Sequence, residues 1–124
     1  MQRVETGLPA INAPVEWATV GGNAFHTVQI PIRADGSFEI GSIAKQTELT
    51  MRNLVAALAG AGLTTRDVAQ VMAFLVDPTD AAEYNAAYRR YFEPPYPARA
   101  TLFVAGLAVP GMRIELVVQA HLPG

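Results

Sequence analysis

The sequence predicts an α+β domain in which a mixed sheet carries two helices on one of its faces. Helical and strand patterns follow one another in the order β-β-α-β-α-β-β, so both helices can share one layer. The 124 residues fit one domain, which we assign to residues 1–124. Only 16% of the residues are charged, against roughly 25% in average domains. Since no third helix covers the second sheet face, we expect other subunits to cover it.

The first half of the chain contains three strand patterns and one helix. Strands are predicted at 15–20 and 24–32, where β-branched and aromatic residues flank a glycine-rich turn. The first helix begins near Ser42, a good N-cap residue, and stops at the glycines 60 and 62. Segment 67–77 contains few polar residues, which predicts a strand covered on both faces.

The second helix and two strands complete the order. The helix starts in the cap region 77–80 and runs to about Phe92. Its apolar stripe consists of Ala81, Tyr84, Tyr88 and Tyr91. The last two strands, 99–107 and 112–121, flank a turn at 108–111 and are expected to form a hairpin.

Charge and composition disfavour several classes of partner. The net charge is −2 and the densest basic pair is Arg89-Arg90, whereas nucleic-acid binders show a basic stripe. Cysteine is absent, and the two histidines, His26 and His121, are too scattered for a metal motif, so no metal or other cofactor is expected. No signal-type or membrane-spanning apolar run is found, so we expect a cytoplasmic protein without nucleic-acid or membrane partners.

Two charged residues lie in the most apolar third of the chain. Arg99 follows Pro97-Ala98 at the start of a strand, where it could pair with a carboxylate or clamp the carboxylate of a small acid. Glu115 lies mid-strand on the same face as Arg113, so it could pair with that arginine or position and deprotonate a water. Asn85 is a weaker candidate, more simply a hydrogen-bonded helix residue.

Residues 21–121 resemble the RidA family of reactive intermediate deaminases, also called YjgF-like or L-PSP endoribonucleases. The order of three segments, 46–68, 74–92 and 97–120, carries this resemblance. Its firmest marks are Gln46-Thr47, Asn53-Leu54, Ala61-Gly62, Asn85, Tyr88, Phe92, Pro97-Ala98-Arg99 and Ile114-Glu115.

The resemblance implies both an assembly and an activity. It implies a chorismate-mutase-like fold and a homotrimer whose sheet faces pack into a central barrel with three intersubunit clefts. It also implies cofactor-free hydrolysis of enamines and imines, such as 2-aminoacrylate, 2-iminobutanoate or 2-iminopropanoate, to 2-oxo acids and ammonia. By resemblance, Arg99 binds the substrate carboxylate and Glu115 holds the attacking water. Asn85 is kept as a further candidate substrate contact.

Four residues, at three places in the chain, differ from the family pattern and indicate a divergent member. Val15 follows Pro14 where deaminating members usually carry a cleft tyrosine. The usual Ser-Gly of an adjacent ligand-contacting loop is Thr27-Val28, and the usual cysteine two residues after the arginine is Thr101. Thr27, Val28 and Thr101 are therefore further candidate substrate contacts.

The residues leave more than one function open. A deaminase needs both Arg99 and Glu115, whereas a non-catalytic binder of small carboxylates, a metabolite sensor or sink, needs only Arg99. A ribonuclease is disfavoured by the acidic composition, and a chorismate mutase by the small number of spare arginines.

Overall fold

Six strands form one mixed sheet in the order β1-β2-β3-β6-β4-β5 in the computed structural model, which describes residues 1–123. The strands are β1 Gln2–Arg3, β2 Ala18–Gly21, β3 Ala24–Gln29, β4 Val68–Leu75, β5 Ala98–Phe103 and β6 Ile114–His121. The helices are α1 Ile43–Gly60 and α2 Ala81–Arg89. All neighbouring strands run antiparallel except β4 and β5, which are parallel.

The predicted α+β class and the element order are confirmed, with one addition. The short strand β1 pairs with β2 at the sheet edge. Two residues are too few to show the alternation from which a strand can be predicted. Strand β3 stops at Gln29, three residues short of the predicted end at 32, and α2 ends at Arg89, three residues before Phe92.

The expected hairpin of the last two strands is wrong. Strand β4 lies between β5 and β6, so that Leu75 pairs with Phe103 on one side and with Ile114 on the other. The β4-α2-β5 segment is a crossover between parallel strands, which places β5 at the sheet edge. The ten residues 104–113 then carry the chain past β4 to start β6.

Helix α1 forms where its cap and apolar face predict it. The Ser42 hydroxyl accepts a hydrogen bond from the Lys45 N–H at 3.2 Å, which satisfies one of the unpaired N–H groups of the first turn. Met51, Leu54 and Leu58 recur at helical spacing and are fully buried against the sheet. The helix therefore covers β3 and β6.

Helix α2 buries Tyr84 and Tyr88 in the same core, but Tyr91 of the predicted stripe is only partly buried. The Tyr91 hydroxyl donates a 2.6 Å hydrogen bond to Glu48 of α1. This contact ties the two helices together on one face of the sheet.

The two faces of the sheet differ sharply in exposure. On the helix-covered face, Val71 and Leu116 are fully buried. On the opposite face, called the open face below, Val28, Leu102 and Val117 are 36–38% exposed although all are apolar. This agrees with the expectation that the open face lacks cover within one chain.

Across residues 1–123, neither helix is long and apolar enough to cross a membrane.

Candidate active site

Arg99 lies on the edge strand β5 and turns its side chain towards helix α2. The residue pairs with Val71 of β4, which faces the helices. The central guanidinium carbon lies 4.5 Å from the ring centroid of Tyr88 and 5.4 Å from that of Tyr84. An arginine at this distance from an aromatic face is held by cation–π attraction. The two rings therefore fix the guanidinium beside the helix while leaving it exposed.

The two tyrosines take this position because they are four residues apart on α2. That spacing puts both rings on the buried side of the helix, with centroids 5.5 Å apart. Burial raises the pKa of Tyr84 to about 12, although the Arg99 guanidinium acts in the opposite direction. Burial and the neighbouring Tyr84 also raise the pKa of Tyr88. Both phenols are therefore neutral at physiological pH and keep their protons for hydrogen bonding.

A cavity of about 610 Å³ opens beside the guanidinium, and we call it the Arg99 cavity. It is lined by Asn85, Tyr88, Arg89, Tyr96, Pro97 and Arg99. The side-chain oxygen Oδ1 of Asn85 and the hydroxyl of Tyr88 are buried and have no hydrogen-bond partner within the described chain. A buried polar atom without a partner is costly unless a water or a ligand satisfies it. The Arg99 cavity therefore combines a cation with two polar groups that can bind a ligand.

No carboxylate forms an ion pair with Arg99 in the part of the chain that the structure describes. The simple alternative, an arginine neutralised by an internal acid, therefore does not apply within one chain. The guanidinium fork is left with N–H groups that can donate to both oxygens of a bound carboxylate.

Glu115 lies in β6 opposite Phe74 of β4 and faces away from the helices. It is half-buried, and this burial raises the pKa of its carboxyl group. The pairing with Arg113 that the sequence suggested is absent. Arg113 instead binds both oxygens of Asp80, at 2.9 and 2.7 Å, and the Glu115 carboxylate makes no hydrogen bond or ion pair to residues 1–123.

Arg99 and Glu115 lie on opposite faces of the sheet. Arg99 is level with the buried Val71, whereas Glu115 is level with Phe74, three positions further along β4. Successive residues of a strand point to opposite faces, and β4 separates the two strands. One chain therefore does not bring these two side chains together.

Thr27 and Val28 lie in β3, three strands from Arg99. Three strand spacings amount to about 14 Å, which is too far for a shared contact with a small acid in one chain. The Thr27 hydroxyl is already used, since it donates to the Trp17 carbonyl at 2.6 Å and accepts from Gln29 at 2.9 Å. Val28 is on the open face, where it lines a groove of about 280 Å³.

Thr101 lies closer to the candidate site. It is two residues beyond Arg99 on β5, on the same side of the strand, and it is exposed. Its hydroxyl is free of hydrogen bonds to the described residues, although it does not line the Arg99 cavity itself. Of the predicted contacts, only Asn85 joins Arg99 in that cavity.

Sequence reasoning missed the roles of several residues at or beside the Arg99 cavity. Tyr84 and Tyr88 were assigned to a core stripe, with Tyr88 also a mark of the resemblance, and Arg89 was noted only as half of a basic pair. The spacing of the two tyrosines was a usable signal, because an aromatic pair at i, i+4 offers two ring faces to one cation. Nothing local to the sequence places Tyr96 beside α2.

Within residues 1–123, no group of three or more histidines, cysteines or acidic residues is arranged to hold a metal ion.

Comparison with known proteins identifies the family of the chain. The family described as "Endoribonuclease L-PSP" matches residues 6–122, which is nearly the whole sequence. The chain belongs to this family, to which RidA proteins also belong.

Named relatives of this RidA-like chain come from fungi and bacteria. Protein mmf2 of Schizosaccharomyces pombe, named as mitochondrial, is 37% identical over 99 residues, which cover 77% of each chain. The RutC family protein y4sK of Sinorhizobium fredii is 34% identical over 98 residues, covering 78% of this chain and 77% of the relative. TdcF of Escherichia coli, named as a candidate reactive intermediate deaminase, is 29% identical over 101 residues, covering 79% and 78%.

Solved RidA-family structures superpose over almost the entire chain. RidA from an Antarctic Psychrobacter species matches with a TM-score of 0.90 and 26% identity, covering 98% of this chain and all of that one. TdcF of Escherichia coli with bound serine matches with a TM-score of 0.89 and 25% identity, covering 99% and 100%. The expected RidA-like fold is therefore confirmed.

Proposed function

We propose that this RidA-family protein hydrolyses enamines and imines of 2-amino acids to 2-oxo acids and ammonia, with the substrate bound in the Arg99 cavity. One observation carries the proposal. The Arg99 guanidinium is fixed on the ring of Tyr88 at the wall of a cavity, and no carboxylate of the described chain neutralises it. The serine bound to the related TdcF gives further support, because serine carries an amino group and a carboxylate.

Binding would orient the substrate through its carboxylate. The planar guanidinium donates two parallel hydrogen bonds to the carboxylate oxygens, so the adjacent C=N carbon is held in one position. Asn85 Oδ1 accepts a hydrogen bond from the imine N–H, and the neutral Tyr88 hydroxyl donates one to the substrate. These contacts would satisfy both buried groups.

The reaction needs only water and proton transfers. An enamine first takes a proton at its β-carbon, and its nitrogen lone pair forms the protonated C=N bond. Water then adds to the C=N carbon and gives one proton to Glu115, which leaves a hydroxyl and an NH2 group on that carbon. The protonated Glu115 passes this proton to the NH2 group, the C–N bond breaks, and ammonia leaves as the hydroxyl proton returns to Glu115 and the C=O of the 2-oxo acid forms. The raised pKa of Glu115 suits proton exchange nearer neutral pH.

Because Glu115 lies on the opposite face from Arg99, this mechanism requires a second copy of the chain. We propose a homotrimer that packs through the open faces and brings Glu115 of one copy to the Arg99 cavity of another. The exposed apolar Leu102 and Val117 support this packing. A Val117→Lys substitution is expected to shift the sedimentation coefficient from trimer to monomer and to abolish turnover. A trimer that persists with this lysine would contradict packing through the open face.

The hydrolysis itself can be tested by generating imines in situ. An amino-acid oxidase supplies 2-iminobutanoate or 2-iminopropanoate, and the rate of ammonia release is measured with and without the protein. The protein is expected to accelerate ammonia release. Arg99→Ala should lower the catalysed rate by at least about 100-fold, in line with the loss of a positioning contact. The matched control is Arg66→Ala, because Arg66 is exposed and pairs with Glu93 away from the cavity. No acceleration over buffer would refute the proposal for these substrates.

A second candidate function is a non-catalytic binder of small carboxylates. It is favoured by one observation, that the Arg99 cavity contains its cation and polar groups within a single chain, whereas hydrolysis also needs Glu115. The variant Glu115→Gln separates the two functions. Loss of turnover with retained binding of 2-oxobutyrate supports the enzyme, while a wild-type protein that binds 2-oxobutyrate without any turnover supports the binder.

The expectations on partners and on cellular location are proposals based on the composition of the sequence. We expect no cofactor and no nucleic-acid partner, and a cytoplasmic location. The mitochondrial name of one relative shows that location varies among relatives. Binding of single-stranded RNA in low salt would contradict the expectation on nucleic acid.

A further inference from the structure

Two arginines stand apart from all others in this chain. The sequence has eight arginines, and six of them lie within 4.0 Å of a carboxylate oxygen: Arg3, Arg33, Arg52, Arg66, Arg90 and Arg113. The two without such a partner in residues 1–123 are Arg89 and Arg99. Both line the Arg99 cavity. The cations that lack internal partners are therefore concentrated at one place.

The cavity offers these two cations no compensating negative charge. Its remaining lining residues are Asn85, Tyr88, Tyr96 and Pro97, none of which is acidic. Two like charges around one cavity make the local potential more favourable for anions, and most strongly for a ligand with two negative charges.

Arg89 also has a structural role, which does not account for this arrangement. It lies in the last turn of α2, where a positive charge interacts favourably with the helix dipole. The next residue, Arg90, has a similar position but pairs with Glu48 at 3.7 Å. A helix-terminal role therefore does not require Arg89 to lack a carboxylate or to line the cavity.

We propose that the Arg99 cavity selects 2-imino acids that carry a second carboxylate. Arg99 binds the carboxylate next to the C=N carbon, and Arg89 binds the distal carboxylate. This inference rests on the proposed function and specifies its substrate class. The reaction is unchanged, since water adds to C=N and ammonia leaves, while the distal carboxylate takes no part. The cavity volume of about 610 Å³ leaves room for a chain longer than three carbons.

The test compares equilibrium binding of stable product analogues by titration calorimetry. The probes are oxaloacetate and 2-oxoglutarate, each with two carboxylates, and 2-oxobutyrate with one. Wild-type protein is expected to bind the better dicarboxylate about tenfold more tightly than 2-oxobutyrate, as one additional charge-assisted contact provides. Arg89→Gln should reduce this ratio to near one. The matched control Arg90→Gln removes the same charge one residue away and should keep the ratio.

Each outcome assigns success or failure to one of the two proposals. If 2-oxobutyrate binds in an Arg99-dependent manner and neither dicarboxylate binds more tightly, the dicarboxylate proposal fails while the proposed site stands. If none of the three acids binds, the Arg99 cavity itself is not the substrate site. A preference that falls equally in Arg89→Gln and Arg90→Gln would show a general charge effect and would overturn the role of Arg89. Circular dichroism confirms that each variant is folded.

Discussion

The ion pair between Asp80 and Arg113 is expected to be one of the main polar contributions to stability. Asp80 lies just before α2 and its side chain is 5% exposed, while that of Arg113 is 35% exposed. The guanidinium donates to both carboxylate oxygens, at 2.9 and 2.7 Å. The backbone N–H of Arg113 also donates to Gln46 of α1 at 2.7 Å. These contacts fix the start of β6, two residues before Glu115.

Replacing Asp80 with Asn keeps the shape but removes the charge and one acceptor. Removing one partner of a fully buried pair costs about 3–5 kcal/mol. Water reaches Arg113 and partly replaces the lost partner, so we expect the free energy of unfolding to fall by about 2 kcal/mol. The unfolding entropy of 124 residues is roughly 0.26 kcal/mol/K at about 2.1 cal/mol/K per residue. The expected decrease in Tm is therefore about 8 °C.

The measurement is urea unfolding and thermal unfolding at pH 7 and one fixed protein concentration, since any oligomer makes Tm depend on concentration. The control is Glu5→Gln, which breaks the exposed pair with Arg3 and should change the free energy by less than about 1 kcal/mol. Adding Arg113→Met to Asp80→Asn should cost little more, because the unpaired cation is then gone. A loss below about 0.5 kcal/mol for Asp80→Asn alone would refute this account of the pair.

Two further predictions concern Glu115 and Gly60. Burial raises the pKa of Glu115 above 4.5, so the folded state binds its proton more tightly than the unfolded state and wild-type stability falls as pH rises through that range. Glu115→Gln removes this penalty, so at pH 7 its free energy of unfolding should exceed that of wild type by less than about 1 kcal/mol, because the side chain is partly exposed. Below pH 4 the two proteins should be equally stable when unfolding is measured as a function of pH. A variant that is less stable than wild type at pH 7 would contradict this. Gly60→Ala would place a Cβ 2.2 Å from the Glu5 carbonyl oxygen and should cost about 1–3 kcal/mol in urea unfolding. The control Gly106→Ala meets no atom within 4 Å and should be nearly neutral, so equal effects of the two alanines would exclude the contact as the cause.

The helices could be predicted from sequence because their signals are local. Ser42 caps α1 as expected, and the apolar spacing of Met51, Leu54 and Leu58 identifies the face that it buries. Local signals act over one or two turns of chain, so they do not depend on what packs nearby. The family resemblance added the fold, which the structural matches confirm.

Strand neighbours were the part that local patterns could not predict. The apolar alternation of 99–107 and 112–121 is equally consistent with a hairpin and with two strands separated by a third. The insertion of β4 between them is decided by the crossover through α2 and by the burial of Leu75 in the core on the helix-covered face, which are tertiary effects. Without the correct strand order, the sequence also leaves open which side chains share a pocket, so the residues of the site cannot be grouped.

The arrangement of charges links the fold to the proposed chemistry. A chain with few charges pairs six of its eight arginines internally, yet it keeps Arg89 and Arg99 without a carboxylate at one cavity. It also half-buries Glu115 without a partner on the open face. Half-burying Glu115 without a partner costs stability, and a neighbouring copy that supplies a hydrogen-bond partner offsets this cost. Arg89 and Arg99 are exposed to water, so a bound anion adds a favourable contact there. Ligand binding at Arg99 and association through the open face are therefore expected to stabilise the fold together, so that a bound dicarboxylate raises Tm more in the assembled protein than in a Val117→Lys monomer.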